Sequence, residues 1–523
     1  MIKRDPNFYT AGYEGDDPYN APFYLRSLVF DGEGGDVNTE LVGRFNEFLR
    51  ENNVCRECKL TDLPASAENF PSKIVVINAS HDDLPTSYET ARIFSELCSE
   101  KGKNVDVVVV NKREDLLKEV NAAPDTALVM SQCVDKNVYD LALAEEFHQK
   151  GIVLVPGIVT APGSVFSDKD STYRLLSGEG ADWDKVARYK KVATEDKTVK
   201  EVVDGIFAAI DELEQQTGDI TFFVKPHEGG GGLGGFRITK VKDGYIIPDL
   251  SKVSGDVSEI HPTFIDFDTS SDEKLLELLW IYRLFHGDPK LRENYLKVDL
   301  PVIDKDEKES IGILRGYLTG SEIKRHQKLA GMVLKPEAAR KRLVDAISIF
   351  EKKFYRRYVP LVNEHIDFGL WGLRAHYRFS KEGPVLETIY HRIFQLGFTE
   401  EGLGYVGSDN ISNKQTGDLE ITRLGPVNKI MVDAIGGEKM LFDTLLKGAD
   451  ALASLAELVP EEERGHVPLR LQLDLAAISQ KIGEGNADTA RGLCLASRWT
   501  EFVRNGRGWL EDSLAYYSWK KGH

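Results

Sequence analysis

Thr221-Phe-Phe-Val-Lys-Pro-His-Glu-Gly-Gly-Gly-Gly-Leu-Gly-Gly-Phe-Arg-Ile238 is the stretch on which the reading of this chain turns. It runs from an apolar, β-branched segment through Lys225-Pro226 into six glycines within seven positions (Gly229, Gly230, Gly231, Gly232, Gly234 and Gly235), then into a second apolar segment. Glycines at this density cost conformational entropy on folding. They suit a backbone that turns sharply or comes close to a ligand, with its N–H groups facing an anion. G-x-G-x-x-G spacing occurs twice (Gly229, Gly231, Gly234; Gly230, Gly232, Gly235). A dinucleotide fingerprint, however, opens a helix. Here Phe236-Arg-Ile-Thr-Lys-Val241 alternates like a strand, Asp243-Gly244 signals a hairpin, and Tyr245-Ile-Ile247 returns. The loop also lacks the Gly-Lys-Ser/Thr ending of a Walker A loop. The pattern is strand, glycine loop, strand: a β-ribbon flap able to close over phosphates. The bland alternative is a flexible turn without a ligand.

Composition bounds the function. Of 523 residues, 41% are hydrophobic and 29% charged, the balance of an ordinary globular protein with ample core. The length suits roughly three or four domain-sized units. Lysine and arginine total 66 against 84 acidic residues, a formal charge of −18. That excess disfavours a nucleic-acid or anionic-membrane surface and leaves room for a local basic pocket. No apolar run reaches the length of a membrane span. The opening Met1-Ile-Lys-Arg-Asp-Pro6 lacks the apolar core of a signal peptide. Five cysteines suggest reduced thiols and a cytoplasmic setting. Cys55-Arg-Glu-Cys58 is a lone C-x-x-C, read as a loop pair rather than a redox or metal site.

Residues 1–72 form an N-terminal extension, with a helical pattern over Thr39 to Asn52, expected to pack on the first domain. Residues 73–165 alternate between strands and helices. Lys73 to Asn78, Val105 to Val110, Thr126 to Met130 and Gly151 to Val155 read as strands, and Thr86-x-x-Glu89 reads as a capping box ahead of a helix. Such alternation predicts a parallel sheet with helices on its faces. Asp168 or Ser167 then caps a helix that carries Lys169 in its first turn. A cation there opposes the helix dipole, which an anionic partner would compensate; a solvated surface lysine is the alternative. Thr198-x-x-Glu201 is a second capping box, opening an amphipathic helix that leads to the glycine stretch.

Residues from about 251 to 350 read as a largely helical insertion, with an apolar helix over Leu275 to Phe285, an exposed charged segment from Asp304 to Glu309, and an amphipathic helix over Ala338 to Phe354. From Val359 the pattern is an antiparallel meander carrying Glu364, Arg374, Glu387 and Arg392. A glycine- and asparagine-rich loop follows, then a helix over Glu438 to Leu458, and a last evident strand, Pro468 to Asp474. Glu484-Gly485-Asn486 lies outside any strand pattern visible in the sequence. The tail, with Trp499, Trp509 and Trp519, reads as a closing helix whose aromatics are core.

In this order the features resemble the ATP-grasp superfamily, and most nearly its glutathione synthetase and glutamate ligase branch. The resemblance covers about residues 73–250 and 358–490. It rests on Asp168-Lys169-x-x-Thr172, on Val224-Lys225-Pro226 with the glycine loop, on Asn363-Glu364-His365-Ile366, on the arginine-bearing meander, and on the late Asp474 and Glu484-Gly485-Asn486. It implies an α/β (α+β) fold: a Rossmann-like pre-ATP-grasp domain at 73–165, then a two-subdomain ATP-grasp domain at 166–523 with the insertion inside it. It also implies roles. Lys169 and Lys225 would contact the phosphates of ATP, and the backbone of Gly229, Gly230, Gly231, Gly232 and Gly234 would cover them. Glu364, His365 and Ile366 would line the adenine, with Asp367 reaching the ribose. Arg374 and Arg392 would stabilise the transferring phosphoryl group. Asp474, Glu484 and Asn486 would hold Mg²⁺, or Mn²⁺ in its place, with Glu387 an alternative carboxylate. The chemistry is consistent, since phosphoryl transfer needs positioned cations and hard Mg²⁺ takes oxygen ligands.

The implied activity is an ATP-dependent carboxylate–amine (or thiol) ligase. It would act on small molecules through an acyl phosphate and release ADP and phosphate, without nucleic-acid or membrane partners, as a monomer or homo-oligomer. No residue stands out as a covalent nucleophile, and Cys133 and His391 read as structural. Two rivals stand beside it: an ATP-grasp phosphotransferase, whose product keeps the phosphate, and a non-catalytic nucleotide-binding module. A nicotinamide-dependent oxidoreductase would rest on the glycine spacing alone.

Overall fold

The computed structural model describes residues 34–52, 67–77, 84–131, 137–155, 157–158, 161, 163–164, 168–177, 184–228, 234–247, 263–264, 269–286, 306–354, 357–366, 371–380, 383–393, 396–399, 402–405, 423–427, 429–455, 470–476, 481–487 and 500–522. Its first helix is α1 (Gly34–Glu51). Then come β1 (Lys73–Ile77), α2 (Leu84–Glu100), β2 (Asp106–Val110), α3 (Arg113–Asn121), β3 (Ala127–Ser131), α4 (Leu141–Gln149) and β4 (Val153–Val155). The four strands form a parallel sheet in the order β2-β1-β3-β4, as their unbroken apolar runs predict. Alternation divides its side chains between two cores. Ile74, Val76, Leu128 and Met130 face Ala91, Phe94 and Leu97 of α2. Val75, Ile77, Val129 and Leu154 face Leu116 and Val120 of α3 and Leu143 and Phe147 of α4. The helix α2 begins at Leu84, so Thr86 lies within its first turn rather than ahead of it.

The chain continues through α5 (Lys169–Ser177), β5 (Tyr189–Lys191), α6 (Val199–Thr217), β6 (Thr221–Pro226), β7 (Phe236–Val241) and β8 (Gly244–Ile246). Next are β9 (Thr263–Phe264), α7 (Asp272–His286), α8 (Glu307–Gly331), α9 (Pro336–Phe354) and β10 (Pro360–Glu364). Strands β5-β10-β6-β7-β8 make a second, antiparallel sheet. The capping box of α6 is present as expected: Thr198 Oγ1 accepts from Glu201 N, and the Glu201 carboxylate accepts from Thr198 N. One face of this sheet, with Phe222, Val224, Phe236, Ile238 and Val362, packs on Ile206 and Ile210 of α6 and Leu343, Ile347 and Phe350 of α9.

The last helix of the expected insertion, α9, is part of the core of the second sheet. Strand β9 pairs with β14 (Gly402–Tyr405), which pairs with β13 (Leu396–Thr399), forming a small further sheet. The segment read as exposed and charged, Asp304 to Glu309, is exposed at Asp306, Lys308 and Glu309, where α8, a helix of 25 residues, begins.

A third sheet has the order β15-β12-β11-β16-β17 and is antiparallel throughout. Its strands are β11 (Trp371–Ser380), β12 (Gly383–Ile393), β15 (Arg423–Pro426), β16 (Arg470–Ala476) and β17 (Lys481–Ala487). Two helices, α10 (Lys429–Ile435) and α11 (Glu438–Leu455), stand between β15 and β16 in sequence. Glu484-Gly485-Asn486 is thus in a strand after all. Glycines at 483 and 485 hide the alternation, and β17 forms because β16 is there to pair with it. Leu373, Ala375, Tyr377, Leu471, Leu473 and Leu475 bury the apolar face of this sheet. The helix α11 comes close to that face at Gly448, where a Cβ would lie 2.8 Å from both Leu473 Cδ1 and Tyr377 Oη.

The first and last helices of the described residues pack far from their sequence neighbours. Helix α1 lies on β12 rather than on the first sheet, which corrects the sequence expectation for this helix, whereas Ala67 and Phe70 of the same extension pack on the core of the first sheet. Asn46 exchanges hydrogen bonds with both backbone groups of Leu386, and Arg44 pairs with Glu438 at 2.8 Å. The last helix, α12 (Thr500–Gly522), covers the α2 face of the first sheet through Trp509, Leu510, Leu514 and Tyr517. Ser518 Oγ accepts from Glu68 N and Asn69 N at 2.9 and 2.8 Å. Residues Cys55, Cys58, Cys133 and Trp499 fall outside the described residues.

Trp509 is 1% exposed, so Trp509→Ala leaves a large void between α12 and the parallel sheet. A loss of about 3–5 kcal/mol is expected. Denaturant unfolding of the full chain measures it, and an exposed tryptophan would give less than about 0.5 kcal/mol.

Candidate active site

Strand alternation puts Lys225 on the face of the second sheet opposite its core, with Leu361 beside it in the ladder and Lys191 beyond. Next to that row are Tyr189, Asn363, Phe223 and Arg237. Phe223 is 37% exposed, one of the few large apolar side chains so exposed among the described residues, whereas Asn363 is buried. Helix α5 approaches this face. Asp168 caps it, Oδ1 accepting from Asp170 N at 3.0 Å, and Lys169 is its first residue. Lys169 N donates to His227 O at 2.8 Å, and Asp168 forms an antiparallel bridge with Glu228. The start of α5 is therefore fastened to the last residues before the glycine loop. Lys225 Nζ donates to Tyr173 Oη and lies 4.9 Å from the centre of that ring.

The loop's far end is also held. Gly234 has φ +75° and its carbonyl accepts from Tyr358 Oη at 2.7 Å. A Cβ there would lie 2.5 Å from the Phe350 ring, so both backbone angle and space require glycine. Gly229, Gly230, Gly231 and Gly232 fall outside the described residues, as does Asp367.

Asp170 is a buried carboxylate in α5. It accepts from Tyr189 Oη at 2.8 Å, Lys191 Nζ at 3.0 Å and Arg174 Nη2 at 2.9 Å. Burial by itself pushes its pKa up, but the hydrogen bonds from Lys191 and Tyr189 and the nearby cations outweigh burial and hold it below the ordinary value. Glu364 ends β10 in a buried position, where Oε1 accepts from Arg188 N at 3.0 Å. His365 N donates to Thr221 O at 3.3 Å, and His365 and Ile366 are half-buried.

On the third sheet Arg374 and Asp474 stand opposite each other and form a two-pronged ion pair, Nε to Oδ1 at 2.6 Å and Nη2 to Oδ2 at 2.8 Å. Their side chains are only 13% and 11% exposed. The row continues to Tyr390 on β12 and to Glu484 on β17. One row along, His376 meets Thr388, Gln472 and, beyond Gln472, Asn486. His376 Nε2 lies 3.2 Å from Tyr390 Oη. Arg392 stands opposite Gly372 in the ladder. Glu387 falls at the irregularity between the pairs His376–Thr388 and Tyr377–Leu386, and its carboxylate is 3.2 Å from Arg378 Nε. The register thus sets Glu484, and not Glu387, directly across from Asp474.

A hard divalent cation takes oxygen ligands. Asp474 Oδ1 and Oδ2 accept from Arg374 Nε and Nη2. Glu484 and Asn486 supply oxygen-bearing residue types at adjoining register positions. Among the described residues no three His, Cys, Asp or Glu side chains converge on one point. The side chains of Glu484 and Asn486 lie outside that set.

Helix α5 links the two halves. It touches the second sheet through His227 and Glu228, and packs against α11 and β17 of the third. Sequence reading assigned no role to Tyr173 or Asp170. The available signal was spacing: Tyr173 is four residues after Lys169, one turn along the same side of the helix.

No family model and no curated protein matches the chain. Among solved structures it is similar to a D-alanine–D-alanine ligase from Bacillus anthracis, at 11% identity over 86% of this chain and 97% of that one, with a TM-score of 0.43. It is also similar to the D-cycloserine synthetase DcsG, at 12% identity over 84% of this chain and 99% of that one, with a TM-score of 0.43. A carboxyaminoimidazole ribonucleotide synthase from Aspergillus clavatus, complexed with ATP, has 10% identity over 77% of this chain and 66% of that one, with a TM-score of 0.34.

Two outcomes follow from the buried charges. Asp474→Ala strands the Arg374 guanidinium and is expected to cost about 3–5 kcal/mol, most of it recovered in Arg374→Met/Asp474→Leu; denaturant unfolding of both variants measures this. Because the Asp170 pKa is lower in the folded state, its contribution is complete above the ordinary carboxylate pKa of about 4 and is lost as pH falls through the lowered value. Asp170→Asn should therefore lose less stability than wild type on acidification from neutral pH, as read by melting temperature against pH.

Proposed function

We propose that the chain is an ADP-forming carboxylate–amine (or thiol) ligase of the ATP-grasp type, nearest to the glutathione synthetase and glutamate ligase branch. The observation that carries the reading is the fastening of Lys169 and Lys225 to one place. The helix bearing Lys169 is hydrogen-bonded to the approach of the glycine loop, and Lys225 projects from the strand that enters the same loop. Two cations beside a glycine-rich ribbon form a phosphate cradle. The exposed Phe223 ring, the half-buried Ile366 and the end of β10 offer apolar surface and hydrogen-bonding groups for an adenine.

In this reading Asp474, Glu484 and Asn486 would hold Mg²⁺, which would supply neutralisation of phosphate charge. Lys169 and Lys225 hold the phosphates, and the glycine ribbon, with Gly234 at its fixed end, excludes water. An oxygen of the substrate carboxylate attacks the γ-phosphorus, the bond to the β,γ-bridging oxygen breaks, and ADP leaves. The amine nitrogen then attacks the acyl carbon, phosphate departs, and the nitrogen gives up a proton. Arg374, fixed by Asp474, and Arg392 stabilise charge on the transferring group. The substrates are small molecules, and the domain limits are those read from the sequence, with α12 added to the first unit by its packing.

The purified protein should release ADP and free phosphate in equal amounts only when a carboxylate and an amine are both present. Lys225→Ala should lower kcat/KM by about 100-fold or more. Undiminished turnover in that variant would falsify the reading. ADP without free phosphate would instead indicate a phosphotransferase, and ATP binding indifferent to loss of Asp474, with no turnover in any form, a non-catalytic module.

A further inference from the structure

We propose that Tyr173 is a positioning residue for the phosphate site, holding the Lys225 ammonium in place at the mouth of the glycine loop before nucleotide arrives. This rests on the reading of Lys225 as a phosphate ligand. Tyr173 is 2% exposed and contacts Lys225 in two ways, through a hydrogen bond from Nζ to its hydroxyl and through its ring face, 4.9 Å from Nζ. An ammonium has three donors, so one bond to Tyr173 is compatible with others to phosphate oxygens.

The ring is itself fixed. It lies 5.2 Å from the Tyr189 ring. The Tyr189 hydroxyl donates to Asp170, which also accepts from Lys191 and Arg174. That network spans α5 and β5, and the first turn of α5 is bonded to His227. The place of the Tyr173 hydroxyl is thus set from three directions.

A neutral partner suits this task. A carboxylate in contact with Lys225 would compete with phosphate for the cation and cancel its charge. A phenol and an aromatic face hold the ammonium without bringing a negative charge of their own. Asp170, the carboxylate on the same helix, has its oxygens engaged by Lys191, Arg174 and Tyr189. An unheld lysine samples many rotamers, and fixing one beforehand lowers the cost of binding.

Calorimetric titration of the full chain with Mg·ATP and with AMP tests this. Tyr173→Phe keeps the ring and its packing and removes only the hydroxyl. It is expected to weaken Mg·ATP binding by about tenfold and to leave AMP binding unchanged. In a Lys225→Ala background the same substitution should add no further loss. A thermal melt of Tyr173→Leu reads the packing contribution separately. Unchanged Mg·ATP affinity in Tyr173→Phe, an equal loss for AMP, or a loss that persists without Lys225 overturns the assignment and leaves the ligase reading standing. A wild-type protein that binds no nucleotide overturns both.

Discussion

The hydrogen bond from Lys169 N to His227 O, with the Asp168–Glu228 bridge beside it, is the contact on which the arrangement depends. It joins the first turn of α5 to the last residues before the glycine loop. The same helix packs on α11 and on β17, the strand that pairs with β16 at Asp474. Two antiparallel sheets that share no strand are thereby brought into a common frame. The Asp170 network fixes the helix along its length, and burial raises the stakes, since each buried charge must be paired or its desolvation goes uncompensated.

The buried polar groups are unequal in kind. The Asp170 cluster and the Arg374–Asp474 pair join different elements, so their geometry is sensitive to how those elements sit. Buried ion pairs add little net stability compared with apolar residues of the same size. Their presence here is better understood as fixing position. Glu277 is a related case. It is buried on α7 and accepts from Trp371 Nε1 at the start of β11, and burial pushes its carboxyl up against the opposing effects of Lys274 and Trp371.

Stability is distributed by long-range closure. The parallel sheet buries one face under α2 and under α12, which comes from the far end of the chain. The third sheet receives α1, which precedes it by more than 300 residues.

Periodicity alone determined much of the secondary structure. The apolar runs of β1 to β4, the capping box of α6, the Asp243-Gly244 hairpin and the meander of β11 and β12 follow from local preference and alternation, and the described residues carry them. Lys169 and Lys225 were legible as candidates at a helix start and where a strand enters the glycine loop, whereas Arg374 and Asp474, both inside strands, were named through the family resemblance. Other features had no local signal. Strand β17 needs its partner strand β16, since Gly483 and Gly485 erase its alternation. Helix α3 has just two buried apolar residues in nine, too few to mark a face. The ion pairing of Arg374 with Asp474, a hundred residues apart, and the meeting of Lys225 with Tyr173 come from strand register and from the docking of α5. Those are tertiary decisions, because they depend on which faces remain to be buried once every element has formed.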